Sequence, residues 1–301
     1  MQIIPLDFEA LPETKNPGMT YLAQLRSPKS FRTMKNALEN IAQCLGVTFL
    51  DCPWPYLEQE HISFVLARLA SPKLNYAPST INRHHAALRG VLKESWRHGY
   101  ITAEQYMRLS DFKAERGHRE LRSRYVSPQE FDALVATCEA SIKGMRDKFI
   151  LYILYMCGLR RDEVVSLKWS NIKNEAIQLV GKGNKERKVP LNDDLIPLKN
   201  EWMAFMGGDK EQYIFAHTNG EPITAQTVYN MLETRSALAG IEVVRPHDMR
   251  HAFISNLWDT GTDGATIAAL AGHSNIKQTQ QYDRRPEETK RRAVNLLNRG
   301  G

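Results

Sequence analysis

Apolar residues recur at helical spacing along most of this chain, which restricts the fold to a mainly α-helical one. The clearest helix begins at Ser27-Pro28, because serine caps free N–H groups and proline is tolerated at the first helical position. Apolar residues then follow every three or four positions, and Gly46 is predicted to end the helix. Two more helices are predicted in the first half of the chain, over 61–70 and from 79 or 80 to 99.

The spacing changes to an extended pattern in two short runs, 175–180 and 187–191. They are separated by GKGNKE, whose glycines suit a tight turn, so the two runs predict a β-hairpin with a glycine-rich tip. A further strand at 213–215 is left open. Helical spacing then returns, and helices are predicted over 224–239, 249–259, 264–271 and 286–297.

A highly charged segment without periodicity, residues 111–124, separates the two halves of the chain. It contains Gly117 and is predicted to be a linker between domains. Ser127-Pro128 and Glu130 then mark a new helix start, since together they form a capping box. The predicted organisation is an irregular N-terminal arm (1–26), a helical domain (27–110), the linker (111–124) and a mainly helical domain with a small antiparallel β-sheet (125–301).

The composition, 42% hydrophobic and 25% charged over 301 residues, is that of a soluble globular protein. The net charge of +6 makes a polyanionic partner plausible, and a basic enzyme without such a partner is the equal alternative. The four cysteines form no CxxC pair, which predicts no thiolate metal site and a reducing, cytoplasmic setting. The N-terminus lacks a secretory pattern, and the longest apolar run has about half of the ~20 residues that a membrane-spanning helix needs. No membrane partner is therefore expected.

Basic residues form a row on the third predicted helix. Arg89, Lys93 and Arg97 recur every four positions beside the apolar stripe, and Arg83 precedes them on the same helix. Such a row suits a surface that follows DNA phosphates. The alternative is a solvated charged face, which the row taken alone favours because charged rows are common on helices.

Four motifs follow one another in the second half of the chain. They are GLRRDEVVSLKW, GKGNKERKVPL, HDMRHAF and LAGHSNIKQTQQYD, beginning at residues 158, 181, 247 and 270. In order and spacing they resemble the boxes of the tyrosine recombinase (phage integrase) family, from about Tyr125 to Tyr282. The GKGNKERKVPL motif and the overall length make the Xer-like subgroup the nearest. Less specifically, STINRHHAALRGVL in the first half resembles the core-DNA-binding domain of that family.

The resemblance implies a catalytic site residue by residue. The catalytic residues that it implies are Arg160, Lys182, His247, Arg250, His273 and Tyr282. Glu163 matches an acidic residue that orders the site, and Arg161 and Lys185 are predicted to contact DNA. Lys185, Arg187 and Lys188 are alternatives to Lys182 as the general acid, and a salt bridge is the alternative role of Arg161. Each residue taken alone has an ordinary structural interpretation, so the prediction rests on their joint order.

These residue types suit phosphodiester exchange. Two arginines can bind the phosphoryl oxygens of the transition state with forked, charge-assisted hydrogen bonds, so neither a metal nor another cofactor is expected. A phenol, with an ordinary pKa of about 10, becomes a nucleophile when cations and a proton acceptor favour the phenolate. A lysine on a hairpin tip can protonate the leaving 5′-hydroxyl. Attack by tyrosine stores the bond as a 3′-phosphotyrosyl link, so that strands can be rejoined without ATP.

The resemblance therefore implies a site-specific recombinase that acts on double-stranded DNA sites. Four protomers are expected to bind two sites, with helix 286–297 packed into a neighbouring protomer, and packing on its own domain is the alternative. A type IB topoisomerase-like enzyme that relaxes DNA and a non-catalytic DNA-site-binding protein are the competing functions. A simple Xer-like or mobile-element recombinase is favoured over a lambda-type integrase. The target sequence, the kind of rearrangement and any second recombinase or accessory protein are not determined.

Overall fold

The computed structural model describes residues 12–117, 123–180, 186–207, 209–217, 219–273, 275–284, 291 and 294–295. The chain divides into two units, Met1–Glu120 and Leu121–Gly301. Both units are mainly helical and the second contains a small antiparallel sheet, so the predicted fold class is confirmed. Within the described residues, no helix combines the length and the apolar character needed to cross a membrane.

The first unit is built around its longest described helix, α4. Its helices are α1 (Pro17–Ala23), α2 (Pro28–Cys44), α3 (Gln59–Leu69), α4 (Pro78–Arg97) and α5 (Ala103–Ser110). α1, α2 and α5 all pack on α4, whose buried face includes Leu88 and Val91. The start of α2 is confirmed, because Ser27 Oγ accepts a hydrogen bond from the N–H of Ser30.

The irregular arm predicted over 1–26 is corrected at its C-terminal end, because α1 forms there. Asn16 caps this helix, and its Oδ1 accepts hydrogen bonds from Gly18 N–H at 2.8 Å and from Met19 N–H at 3.3 Å. Pro17 follows at the first helical position, which suits proline. Leu22 is buried in the core of the unit, so burial holds a helix too short to be stable alone.

The second unit is built around one largely buried helix, Ile142–Met156, whose buried residues include Phe149, Ile150 and Leu154. Its helices are α6 (Pro128–Ala136), α7 (Ile142–Met156), α8 (Arg161–Val165), α9 (Leu195–Met206), α10 (Ala225–Ala239), α11 (Pro246–Asp259), α12 (Gly264–Ala271) and α13 (Ile276–Gln280). α6, α8, α9 and α11 pack on α7. The capping box at Ser127 and Glu130 is confirmed at the start of α6.

The predicted hairpin is confirmed as part of a three-stranded antiparallel sheet. Its strands, in the order β1-β2-β3, are β1 (Ile172–Lys173), β2 (Ala176–Val180) and β3 (Glu186–Pro190). The hairpin tip, which carries Lys182 and Lys185, lies outside the described residues, as does most of the predicted helix 286–297. The strand left open at 213–215 is reduced to a single bridge between Tyr213 and Lys168.

The predicted linker ends earlier than residue 124. The N–H of Arg124 donates to Asp248 Oδ1 in the first turn of α11, at 3.0 Å. The Arg124 guanidinium pairs with Glu130 in the first turn of α6, at 2.7 Å. Two charged side chains of the second unit therefore bind Arg124, although its local sequence shows no periodicity.

Candidate active site

Arg160 is the residue that precedes α8. It lies two residues after Gly158, which follows the C-terminal end of α7. Gly158 has a φ of 58°, and a Cβ there would lie 2.2 Å from Phe253 Cδ1, so conformation and packing both require glycine. Arg160 Nη2 donates to Gly272 O at 3.2 Å, across 112 residues of sequence. The GLR and AGH motifs therefore meet at Arg160.

Glu163 binds two arginines. Its Oε2 accepts from Arg160 N–H at 2.7 Å and its Oε1 accepts from Arg160 Nη1 at 3.0 Å. From β3, Arg187 donates through both Nη atoms to the two oxygens, at 2.8 and 2.7 Å. Burial alone raises the Glu163 pKa, but the bonds from Arg187 and Arg160 outweigh it and hold the pKa below its usual range. An ionised Glu163 thus fixes the orientation of Arg160.

Arg250 lies on α11 at the centre of the site and is 4% exposed. Its Nη1 donates to Gly158 O and its Nη2 to Ala271 O, so the guanidinium joins the first carbonyls of the GLR and AGH motifs. Burial, together with repulsion from Arg160 and Arg187, lowers the pKa of Arg250 to about 10. Arg250 is therefore still a cation at neutral pH, in a place where a cation without a counter-ion is costly.

Tyr282 is 5% exposed, and the His273 ring stacks on its ring with the centroids 6.2 Å apart. His273 Nδ1 shares a hydrogen bond of 2.8 Å with Thr279 Oγ1. Burial and the charges of Arg250 and Arg160 lower the pKa of His273 to about 4, so the imidazole is neutral at neutral pH. Burial raises the pKa of Tyr282 more than Arg250 and Arg160 lower it. The phenol is therefore protonated in the unliganded protein.

His247 and Arg250 lie on one face of α11, because this helix begins at Pro246, three residues earlier than predicted. Both line a cleft of about 390 Å³ that Arg160 and Arg161 also line. A larger groove of about 1040 Å³ shares Arg160 with the cleft and extends past His273 to β3. The cleft is rich in cationic side chains and suits an anion such as a phosphodiester.

The structure thus brings together five of the six predicted catalytic residues, since Lys182 lies outside the described residues. Their catalytic roles stay predictions. Across the described parts of the chain, no cluster of three or more histidine, cysteine or acidic residues has metal-binding geometry. The chemistry that the site offers is cationic stabilisation of a phosphate next to a phenol and a neutral imidazole.

The predicted DNA contacts divide into two groups. Arg83, Lys93 and Arg97 are exposed on α4. Arg89 differs, because its guanidinium donates to the carbonyls of Ser110 and Phe112 and lies 4.3 Å from the Phe112 ring centroid. The segment after α5 covers this part of α4, so Arg89 holds that segment instead of lying in an open basic row.

Arg161 lies at the edge of the cleft, and Lys185 lies outside the described residues. The Arg161 side chain is 39% exposed and has Asp162 beside it at 3.7 Å. An exposed ion pair of this length contributes little to stability, so the guanidinium can turn towards a bound anion.

Three features of the site were missed by sequence reasoning. Arg187 was considered as a general acid, whereas its forked bonds to Glu163 give it a structural role. Gly272 was not selected, yet its φ is 66° and a Cβ there would lie 2.8 Å from Arg187. His251 was not selected either, yet its ring edge contacts the Tyr282 ring, with the ring centroids 4.9 Å apart. The glycines within the GLR and AGH motifs were the available sequence signal that these two segments pack closely on their neighbours.

Replacing Glu163 by glutamine is expected to lower the free energy of unfolding by about 2–4 kcal/mol at pH 7, because Arg187 loses its buried counter-ion. The depressed Glu163 pKa means that the carboxylate stabilises the fold above its ordinary pKa of about 4.3. The difference between wild type and Glu163→Gln should therefore shrink as the pH falls below that value. Urea unfolding at pH 7 and below pH 4 measures it.

Glu211→Gln is the matched control for this prediction. Glu211 is 76% exposed and pairs with Lys168 at the surface. The expected change in its unfolding free energy is below about 0.5 kcal/mol at either pH. Equal stability of Glu163→Gln and wild type at pH 7 would contradict the role assigned to the carboxylate.

The chain is similar to known DNA recombinases. The phage integrase family profile matches residues 124–288. The tyrosine recombinase XerD of Pseudomonas aeruginosa is 30% identical over 216 residues, which are 69% of this chain and 71% of that relative. XerD of Proteus mirabilis is 35% identical over 167 residues, 52% of this chain and 53% of that relative.

A solved structure has the same fold. The Tn1549 transposon integrase in complex with transposon right end DNA superposes with a TM-score of 0.70, covering 95% of this chain and 99% of that chain. The sequence identity in this comparison is 17%, so the likeness concerns the fold.

Proposed function

The chain belongs to the phage integrase family, as an Xer-like tyrosine recombinase, and from that premise we propose that it cuts and rejoins DNA strands at specific sites through a 3′-phosphotyrosyl intermediate. The observation that carries the proposal is the buried Tyr282 ring, which stacks on His273 and lies within the influence of the Arg250 and Arg160 charges. Such a site holds every group that transfer of a phosphodiester to a phenol requires, apart from an acid for the leaving oxygen.

The scissile phosphate occupies the cationic cleft. Arg160 and Arg250 bind its non-bridging oxygens, and His247, which lines the same cleft, donates a further hydrogen bond. Both guanidinium groups are already oriented by protein carbonyls and by Glu163, so little reorganisation accompanies the reaction. The fixed charges then stabilise the extra negative charge of the transition state.

In the cleavage step the Tyr282 hydroxyl oxygen bonds to phosphorus and the bond from phosphorus to the 5′-oxygen breaks. The phenolic proton passes to His273, which is uncharged before DNA binds. The bound phosphate adds negative charge next to the imidazole and raises its proton affinity. Religation is the reverse reaction, with a 5′-hydroxyl from the partner strand as the nucleophile.

The leaving 5′-oxygen needs a proton, and Lys182 is the acid that we propose. Its sequence position is between β2 and β3, whose ends pair Val180 with Glu186. Arg187 is a poorer candidate because both Nη atoms are bonded to Glu163. Lys188, which lines the groove next to the cleft, is the second candidate.

DNA binding follows from the exposed basic residues. We propose that Arg83, Lys93 and Arg97 of α4 and Arg161 of the cleft contact phosphates, together with Lys185. Arg89 is not included, because backbone carbonyls and the Phe112 ring occupy its guanidinium. The net charge of +6 agrees with a polyanionic partner in the cytoplasm.

The active assembly is proposed to be a tetramer on two DNA sites. Each chain carries one Tyr282 and one phosphotyrosyl bond can form on it at a time. Complete exchange between two duplexes cuts four strands, so four chains supply the nucleophiles. Excision or resolution within a mobile element or chromosome is compatible with this arrangement.

The proposal is tested with nicked duplexes whose sequence is randomised around the nick. The label is at the 5′ end of the strand that is to be cut. Wild-type protein in EDTA-containing buffer is expected to give a labelled adduct that survives denaturation, since fixed cations stabilise the transition state. Sequencing of recovered adducts yields the preferred site. Failure of every pool to give an adduct would refute the proposed chemistry.

The competing functions are distinguished with a plasmid that carries two copies of the preferred site recovered in this way, called the enriched site. A recombinase yields deletion or inversion products. Relaxation without recombinant products would favour the topoisomerase-like alternative, and site binding without any adduct would favour the non-catalytic one.

A further inference from the structure

The first described residues of the second unit, Ser123–Tyr125, lie along α11 and are called the entry segment here. Ser123 O accepts from the Nδ1–H of His251 at 3.1 Å. The Tyr125 hydroxyl donates to Asn256 Oδ1 at 2.7 Å. With the bond from Arg124 N–H to Asp248, three consecutive residues are attached to the helix that carries Arg250.

The same segment also contacts the chain just after the nucleophile. The guanidinium carbon of Arg284 lies 3.7 Å from the centroid of the Tyr125 ring. This is a close cation–π contact. Arg284 follows Tyr282 by two residues, so the contact restrains the backbone immediately after the reacting phenol.

A second connection reaches the Tyr282 ring itself. His251 donates through Nδ1 to Ser123 O, and its ring edge contacts the Tyr282 ring with an interplanar angle of 65°. One turn further along the same face of α11, Ser255 Oγ donates to Tyr282 O at 3.2 Å. The entry segment therefore acts on Tyr282 through His251 at its ring and through Arg284 at its backbone.

We propose that the entry segment, His251 and Arg284 form a latch that positions Tyr282 for attack. These are positioning residues, because their described contacts are with Tyr282 and the chain next to it. The catalytic consequence rests on the proposed function, whereas the latch itself is a property of the fold.

The first test uses the protein without DNA. Arg284→Gln and Tyr125→Leu are each expected to accelerate amide hydrogen exchange in residues 275–284 by about tenfold, with exchange in α7 unchanged. The double variant should exchange no faster than Tyr125→Leu, because Tyr125→Leu already removes the ring that Arg284 contacts. Tyr125→Phe and Arg284→Lys keep a ring and a cation and should stay close to wild type.

Lys168→Gln is the matched control. It removes a cation that lies 5.4 Å from the Tyr213 ring centroid in the same unit, away from Tyr282. Exchange in 275–284 should not respond to this change. An Arg284→Gln protein whose 275–284 exchange equals that of wild type would overturn the latch, and so would an equal response to Lys168→Gln.

The second test measures single-turnover adduct formation on saturating nicked DNA of the enriched site. Arg284→Gln and Tyr125→Leu are expected to slow cleavage by about tenfold, non-additively, and Arg284→Lys should restore most of the rate. DNA affinity and its salt dependence should stay at wild-type values. A wild-type cleavage rate in both variants would overturn the positioning role.

A loss of about one unit from the salt slope in Arg284→Gln would also overturn it, because Arg284 would then be a phosphate contact. The two hypotheses fail separately. If wild-type protein forms no adduct with any pool, the proposed function fails, and hydrogen exchange still decides the latch.

Discussion

Tyr282→Phe is expected to abolish formation of the denaturation-resistant DNA adduct, a loss of at least about 10⁴-fold, because phenylalanine has no oxygen to bond to phosphorus. The ring contacts with His251 and His273 should be retained, since both involve the ring of residue 282. The bond from Ser255 is to the main-chain oxygen and is also kept. The variant should therefore fold and bind DNA normally.

Adduct formation is followed on denaturing gels with 5′-labelled nicked duplex, and binding of the same duplex is followed separately. Tyr213→Phe is the control, because Tyr213 lies at the bridge to Lys168, outside the cationic cleft and groove. It should form the adduct at the wild-type rate. Persistence of the adduct in Tyr282→Phe would show that another residue is the nucleophile.

Arg250→Lys is expected to slow adduct formation by about 10³-fold while leaving a large part of the DNA affinity. A lysine ammonium is a point charge and cannot reproduce the fork that bridges Gly158 O and Ala271 O and is proposed to bind a phosphate oxygen. At least one buried carbonyl then loses its donor, which should lower the free energy of unfolding by about 1–3 kcal/mol. The proposed phosphate binding and the stability of the fold thus both depend on Arg250.

The control separates these two effects. Arg235 is another buried arginine of the second unit, 3% exposed and bonded to Asp147 and Glu139 away from the cleft. Arg235→Lys should lower stability to a similar extent without slowing cleavage by the folded protein. Comparable cleavage rates in Arg250→Lys and Arg235→Lys would contradict the role of Arg250 in the transition state.

Local sequence patterns predicted many of the elements because their signals lie within one helical turn. Ser127 and Glu130 form their capping box three residues apart, and α12 begins and ends where its spacing predicted. α1 was missed because its stability depends on burial of Leu22 against the rest of the unit. α9 and α13 were also missed, and α13 has only five residues, which are too few to show helical periodicity.

The sequence alone also identified the candidate residues for phosphodiester exchange, because the order of the four motifs is a joint signal. It favoured Lys182 as the general acid and left Lys185, Arg187 and Lys188 as alternatives. The argument against Arg187 depends on its contact with a carboxylate 24 residues away, at Glu163. The sequence also could not separate Arg89 from Lys93 and Arg97, since the covering segment lies beyond α5.

The sequence by itself determined the mainly helical fold, the hairpin and the residue types gathered around Tyr282. Tertiary structure decided which cations line the cleft and which are held away from it, as Arg89 is by backbone carbonyls. The reason is that helical periodicity and caps are short-range properties, whereas pairing of Arg160, Glu163 and Arg187 depends on how distant elements pack. Only that packing connects Tyr282 with the entry segment, through His251 and Arg284.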